Sequence, residues 1–308
     1  MSAAAEFKVA EFDFTKEVDL EALATALKRD GGIILRKIAT ADDLAQMEKD
    51  VRPFIEKDAP WTGSFFPAET RRVTGLITKS PRFVEKVIMN PVYQATCDKF
   101  LSSYHTGHLG SEFIECVSKP QLQNTIVFAI GPGGSDARNQ PLHRDDSIYH
   151  MKHPACTPET YEYGRDAAIG YFLAGKKTTR ANGATRFIPG SHLWPHEKLG
   201  GPHEDECVYA ELEAGDSFMM LASAQHGGSA NTTKDEERFL LSCFMTKGLY
   251  RQEENQYLTN TLDVMRQYPI ETARVLGYNL SSPSLGWVAF DDPIRVLHPE
   301  IKPLEELY

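Results

Sequence analysis

The sequence predicts an α+β fold that is mainly β, a sandwich or barrel of short strands with helices at both ends. Three observations predict it. From about residue 112 to Met245, short apolar or β-branched runs alternate with Gly- and Pro-containing turns. The first hundred residues instead place apolar side chains at helical spacing, and the last sixty return to that pattern around Leu262 to Tyr268. No linker divides the 308 residues. They read as one domain, with a helical part over about 1–110, a β core over about 111–250 and a helical part over about 251–308.

In chain order, Leu20, Leu23 and Leu27 mark a helix that Gly31-Gly32 stops, and Ile33-Ile34-Leu35 reads as a strand. Thr40 is an N-cap with Asp42 and Asp43 in the first turn of a second helix, whose inner face is Leu44, Met47 and Val51. Pro53 ends or kinks it. Ser80-Pro81 opens a third helix with Phe83, Val84, Val87 and Ile88 inward. The strands follow. Thr125 to Ile130 ends at Gly131-Pro132-Gly133-Gly134, and Ala167 to Leu173 comes next. Thr185 to Ile188 ends at Pro189-Gly190, and Val208 to Leu212 turns through Ala214-Gly215-Asp216 into Ser217 to Leu221. Phe239 to Met245 is the longest apolar strand.

Composition narrows the function classes. At 41% hydrophobic and 25% charged, the chain is of ordinary globular type. Its net charge of −10, without a dense Lys/Arg cluster, argues against nucleic acid and anionic membranes as partners. No apolar run approaches the roughly 20 residues of a membrane helix, and Met1 to Phe7 lacks the basic-then-apolar pattern of a secretion signal. Cys97, Cys116, Cys156, Cys207 and Cys243 are widely spaced with no CxxC, as expected for reduced thiols in a cytoplasmic protein.

The chemistry concentrates in Gln140-Pro141-Leu142-His143-Arg144-Asp145-Asp146. On a strand, His143 and Asp145 would face the same side and reach one metal ion together. His226, in Gln225-His226-Gly227-Gly228 at the end of an apolar strand, is the candidate third ligand, with two glycines that let the backbone come close. Two neutral imidazoles and one carboxylate with open positions are the facial set of non-haem iron(II) oxygenases. Zinc is the rival ion, but no HExxH is present. Arg238 could grip the distal carboxylate of 2-oxoglutarate, with a Thr185 hydroxyl and the Gln140 amide as helpers.

These residues resemble the phytanoyl-CoA dioxygenase family, in particular its fungal branch that tailors natural products. The matching segments are QPLHRDD (140–146), NGATRFIPGSHLW (182–194), EAGDSFMM (213–220), HGG (226–228), Arg238 and Leu285-Gly286-Trp287, spanning about residues 20–290. The resemblance implies a double-stranded β-helix (jelly-roll, cupin-like) core. It also implies iron(II) on His143, Asp145 and His226, and 2-oxoglutarate on Arg238 with Thr185 and Gln140. The implied reaction consumes O2, releases succinate and CO2, and hydroxylates, desaturates or cyclises a small molecule. A homodimer is implied as well. Asp145 departs from the Ala or Gly of related halogenases. Glu237-Arg238 departs from the paired arginines frequent in fungal members.

Plainer readings stand beside these. A lone His-x-Asp is more often a surface pair, His226 could be a satisfied core histidine, and Arg238 could close the acidic run Asp235-Glu236-Glu237 as a solvated charge. His150 and His153 read as loop residues near the mouth of the site and His192 as structural. Phe65, Phe66, Tyr149, Tyr171, Phe244 and Tyr250 are candidate pocket aromatics, with a core role the default for each. Other functions in view are an acyl-CoA hydroxylase, an amino-acid hydroxylase with Arg71 or Arg72 as anchor, a zinc hydrolase and a non-catalytic cupin-like binding protein.

Overall fold

Helix ends near the N-terminus are set by local chemistry. In the computed structural model, which describes residues 7–198 and 203–305, α1 (Leu20–Asp30) starts where the Asp19 carboxylate accepts from two backbone N–H groups. It ends at Gly31, whose φ of 78° is left-handed and costs glycine little. Most of the Met1–Phe7 stretch lies outside the described residues. α2 (Ala41–Ile55) opens on a capping box between Thr40 and Asp43 and buries Leu44, Met47, Val51 and Ile55. Pro53 sits within its last turn, so the helix stops at Ile55 rather than at the proline. Ser80 caps the next start with Pro81 in the first turn, and a wider π turn over Val84–Ile88 buries Val84, Val87 and Ile88.

The strands are β1 (Glu11–Asp13), β2 (Gly32–Arg36), β3 (Thr70–Thr74), β4 (Ser103–Leu109), β5 (Glu112–Ser118), β6 (Gln121–Ile130) and β7 (Ala168–Ala174). They continue with β8 (Thr185–Phe187), β9 (Val208–Ala210), β10 (Ser217–Leu221), β11 (His226–Gly228) and β12 (Arg238–Thr246). A seven-stranded sheet runs β1-β2-β10-β7-β12-β6-β3, and a three-stranded sheet runs β11-β8-β9. β4 and β5 form a separate antiparallel hairpin. The first hundred residues are thus less helical than their periodicity suggests, since β1, β2 and β3 belong to the large sheet. Glu11–Asp13 and Thr70–Thr74 are short and partly polar, and only pairing with β2 and β6 makes them strands.

Both faces of the large sheet are covered. Phe172, Phe218, Met220, Leu240 and Phe244 pack with Phe187 and Ala210 of the small sheet. Their strand neighbours Tyr171, Leu173, Met219, Leu221, Leu241 and Cys243 pack on the other side with the N-terminal helices and with Met265, Ala273 and Leu276 of the C-terminal ones. Burial on both faces explains why β7, β10 and β12 read as unbroken apolar runs. Two facing, mostly antiparallel sheets with helices outside form the jelly-roll core. The C-terminal helices are short, Leu262–Met265 and Ile270–Val275 among them. No described helix is long and apolar enough to cross a membrane, and all five cysteines are free.

Candidate active site

His143 and His226 are backbone partners. Each donates its N–H to the other's carbonyl at 3.0 Å. One residue pair on, the Gln140 N–H donates to the Gly228 carbonyl at 2.8 Å, and the Gly228 N–H donates back to Gln140 Oε1 at 2.8 Å. The segment 140–143 therefore lies along β11, which itself pairs with β8 in the register His226↔Phe187, Gly227↔Arg186 and Gly228↔Thr185. A side chain at Gly227 would not fit: its Cβ would stand 2.9 Å from the Gln140 carbonyl oxygen and 3.1 Å from Arg186 Nη1. The glycine thus permits the close approach that brings the two histidines together.

Two details differ from the sequence reading. His143 makes a single bridge, and Asp145 opens a tight helical turn over Asp145–Tyr149, so the pair is not held by strand alternation. His226 does not end the apolar strand; β10 stops at Leu221, and His226 begins the separate β11. The Ser223-to-Gln225 link turns the chain across to the small sheet.

Even so, the ligand atoms of His143, Asp145 and His226 all lie within 4.8 Å of one another. His143 Nε2 is 3.4 Å from Asp145 Oδ1, and His226 Nε2 is 3.4 Å from Asp145 Oδ2. Both imidazoles commit Nδ1 to a backbone carbonyl, Pro141 at 2.8 Å and Ala224 at 3.2 Å, which leaves Nε2 facing the carboxylate. Burial pushes His226 down to about 4, so it is neutral at pH 7 and its lone pair is available. Burial opposes ionisation of Asp145, but the two imidazoles outweigh it and hold the carboxyl below its usual range. Asp145 Oδ2 is buried and makes no hydrogen bond. Metal–ligand bonds of about 2.1 Å at right angles place donor atoms about 3 Å apart, close to what is seen here. The donor set fits a divalent ion.

A cavity of about 340 Å³ adjoins these residues. Arg238, at the start of β12, is buried in its wall and donates from Nη2 to Thr185 Oγ1 at 2.8 Å. Among the described residues its Nε has no partner and no acidic side chain offsets its charge; burial pushes the guanidinium down to about 10. A buried cation without a counter-charge is a receptor for an anion. Gln140 also lines the cavity, and the Gly228 N–H fixes its oxygen. Phe65, Phe66 and Phe244 border the same space, whereas Tyr149, Tyr171 and Tyr250 are not among its lining residues. Tyr171 is a core residue stacked on Tyr93 at 4.5 Å. Arg71 and Arg72 are spent elsewhere, Arg71 on the Asp58 carbonyl and Arg72 over the Trp61 ring.

His153 lies on the irregular segment after the Asp145–Tyr149 turn, as expected, but is buried; its Nε2 sits 2.6 Å from Asp146 Oδ2. His150 is the left-handed residue that ends the Asp145–Tyr149 turn. His192 is structural, with Nε2 2.9 Å from the Lys28 carbonyl. Sequence reasoning assigned no role to Arg186, Asp146, Asn124 or Glu253, or to the cavity walls Ile126, Phe128 and Phe172. The alternation of Asn124, Ile126, Phe128 and Ile130 along β6 was the available signal for that wall.

A jelly roll that gathers two imidazoles and a carboxylate beside a buried arginine without an acidic partner defines a non-haem iron enzyme that uses a 2-oxo acid. Comparison with known proteins gives the family. The phytanoyl-CoA dioxygenase family matches residues 27–239. The chain is 39% identical to dioxygenase himG of Aspergillus japonicus, covering 91% of this chain and 88% of that one. It is 38% identical to dioxygenase peniF of Penicillium patulum, covering 95% and 94%. Among solved structures, the epimerase SnoN in complex with Fe3+, α-ketoglutarate and nogalamycin RO superposes with a TM-score of 0.55 at 21% identity, over 79% of this chain and 90% of that one. The chain belongs to the phytanoyl-CoA dioxygenase family and is a non-haem iron, 2-oxoglutarate-dependent dioxygenase that uses O2.

Proposed function

We propose that the protein oxidises a small natural-product intermediate, by hydroxylation, desaturation or ring formation, in fungal secondary metabolism. In this reading His143, Asp145 and His226 hold iron(II), and Arg238 with Thr185 and Gln140 holds 2-oxoglutarate. The single observation behind it is the placement of a triad with an unpaired Oδ2 and a buried, uncompensated guanidinium on one cavity. Bound iron supplies the activation of O2 that couples conversion of 2-oxoglutarate to succinate and CO2 with oxidation of the substrate.

The chain's own residues do the positioning. The His143–His226 bridge fixes two of the three ligands, and the tight turn after Arg144 presents the third. Thr185 orients the Arg238 fork toward a carboxylate. Apolar walls from Phe65, Phe66, Phe128, Phe172, Leu240 and Phe244 exclude water and favour a compact organic substrate. An acyl-CoA would need cations for its phosphates. The basic residues lining the cavity are Arg144 and Arg238. Both are buried, and Arg144 is bonded to the Ser191 carbonyl. A zinc hydrolase would leave Arg238 without an anion to bind.

The test is anaerobic titration with iron(II) and then 2-oxoglutarate. A weak visible metal-to-oxoacid absorption is expected, and, once O2 is admitted, substrate-stimulated succinate release that His143→Ala and Asp145→Ala abolish. Retained turnover in either variant removes that residue from the ligand set. Absence of the absorption, with zinc held against chelation, overturns the reading.

A further inference from the structure

We propose that the substrate binds as a cation, an apolar molecule whose protonated nitrogen docks on Glu253 and Asn124 at the end of the cavity away from Arg238. This deepens the functional reading above and rests on it.

β6 lays Asn124, Ile126, Phe128 and Ile130 along one cavity wall. In register with it on β12, Arg238 pairs with Ile130 and Phe244 with Asn124. Six residues of strand, roughly 20 Å, separate the two ends. The Ile130 end offers the Arg238 cation, which an oxoacid carboxylate fills. The Asn124 end has the opposite character. Asn124 is buried, its Nδ2 donates to Glu253 Oε2, and its Oδ1 is buried with no partner. Gln123 Nε2 lies 3.5 Å from the same Glu253 oxygen.

Among the described residues nothing donates to Glu253 Oε1, and no lysine or arginine pairs with it; burial first, then Asp145 and Glu254, push its carboxyl above the usual range, so a cation arriving there would restore the charged form. Glu253 borders the cavity yet remains solvent-accessible, so it can meet an arriving ligand. This end of the site therefore presents one buried, unpartnered amide oxygen and, at its rim, a carboxyl without a basic partner, beside aromatic and aliphatic walls. A ligand that completes it must donate, and an ammonium group donates to both oxygens while cancelling the carboxylate. A substrate carboxylate placed there would face Glu253 directly. Arg144 also borders the cavity, with Nη2 on the Ser191 carbonyl and with Nε and Nη1 unpartnered among the described residues, so a substrate anion at Arg144 is the rival that failure of the amine to bind would favour.

The test uses a matched pair, 4-phenylbutylamine and 4-phenylbutan-1-ol, titrated calorimetrically into the anaerobic iron(II)–2-oxoglutarate enzyme. The wild type is expected to prefer the amine by about tenfold or more, the worth of one charge-assisted hydrogen bond. Glu253→Gln is expected to erase the preference without changing affinity for the alcohol. Equal affinities, failure of the amine to bind, or a preference that survives Glu253→Gln overturns the proposal. The oxoacid absorption, recorded in the same samples, separates the two readings. If the band is present and the amine preference is missing, only the substrate proposal fails. If the band is missing, the assignment of the site fails.

Discussion

Arg186 grips Glu204 through two parallel hydrogen bonds, Nε to Oε2 at 2.7 Å and Nη2 to Oε1 at 2.9 Å. The same guanidinium donates to the Gly228 carbonyl at 2.8 Å and to the Gln140 carbonyl at 2.7 Å. A fully buried side chain on β8 thereby clamps together the two segments that present His143 and His226. Arg186→Met removes the side-chain donor to the Gln140 carbonyl and one of the two donors to the Gly228 carbonyl, and is expected to weaken iron(II) binding about 10- to 100-fold, the usual effect of removing support behind metal ligands. Arg186→Lys is expected to recover little, since an ammonium lacks the planar fork. Calorimetric iron titration of folded variants checks this, and wild-type affinity in Arg186→Met refutes it.

The same pair carries a pH signature. Arg186 holds the Glu204 carboxyl below its usual value. A depressed acid stabilises the fold above its unfolded pKa of about 4.3 and loses that contribution as pH falls through the folded value. Glu204→Gln is therefore expected to lower the urea midpoint at pH 7, with the gap to wild type closing below about pH 4. The effect is modest, because Glu204 is more than half exposed. A gap of constant size across that range contradicts the linkage.

Arg238→Met is expected to raise the 2-oxoglutarate concentration needed for the visible absorption by about 30-fold or more, from the loss of a buried charged partner. Iron binding measured without the oxoacid should be unchanged. Thr185→Val, which removes only the hydroxyl that orients the guanidinium, is expected to cost about tenfold or less. Equal effects of Arg238→Met on iron and on oxoacid would point to a general collapse of the site instead.

Asp146 and His153 are bonded at 2.6 Å and nearly inaccessible, and Asp146 directly follows the proposed ligand Asp145. His153→Ala strands a buried carboxyl and is expected to cost about 1–3 kcal/mol of stability by urea unfolding. Asp146→Ala should cost a similar amount, and the double variant less than the sum of the two. Strict additivity would show that the pair does not act as a unit.

The parts of this structure legible in the sequence are those written in local chemistry. The caps at Thr40 and Ser80 and the apolar run of β10 between its turns were readable because each depends on a few adjacent residues. The three candidate ligands were readable as types in order, but the means of uniting them was not. Asp145 reaches the histidines through a tight turn, and His226 through a change of sheet. Those are tertiary facts. Arg186 lay inside a segment recognised for its resemblance, yet its partners Gln140 and Gly228 are 46 and 42 residues away. Asn124 and Glu253 meet across 129 residues. β1 and β3 were missed because short polar strands take their conformation from a neighbour.

The order of strands in the large sheet bears on how the chain can fold as it is made. Its outer members, β1, β2 and β3, are synthesised first, while the central β7, β10 and β12 leave the ribosome last. A nascent chain arrested before β12 can pair β1-β2-β10-β7 and, separately, β6-β3, but lacks the one strand that joins the two halves of the sheet. Closure of the sheet therefore waits on the last of its strands to be made, which leaves two half-sheets with open edges during synthesis.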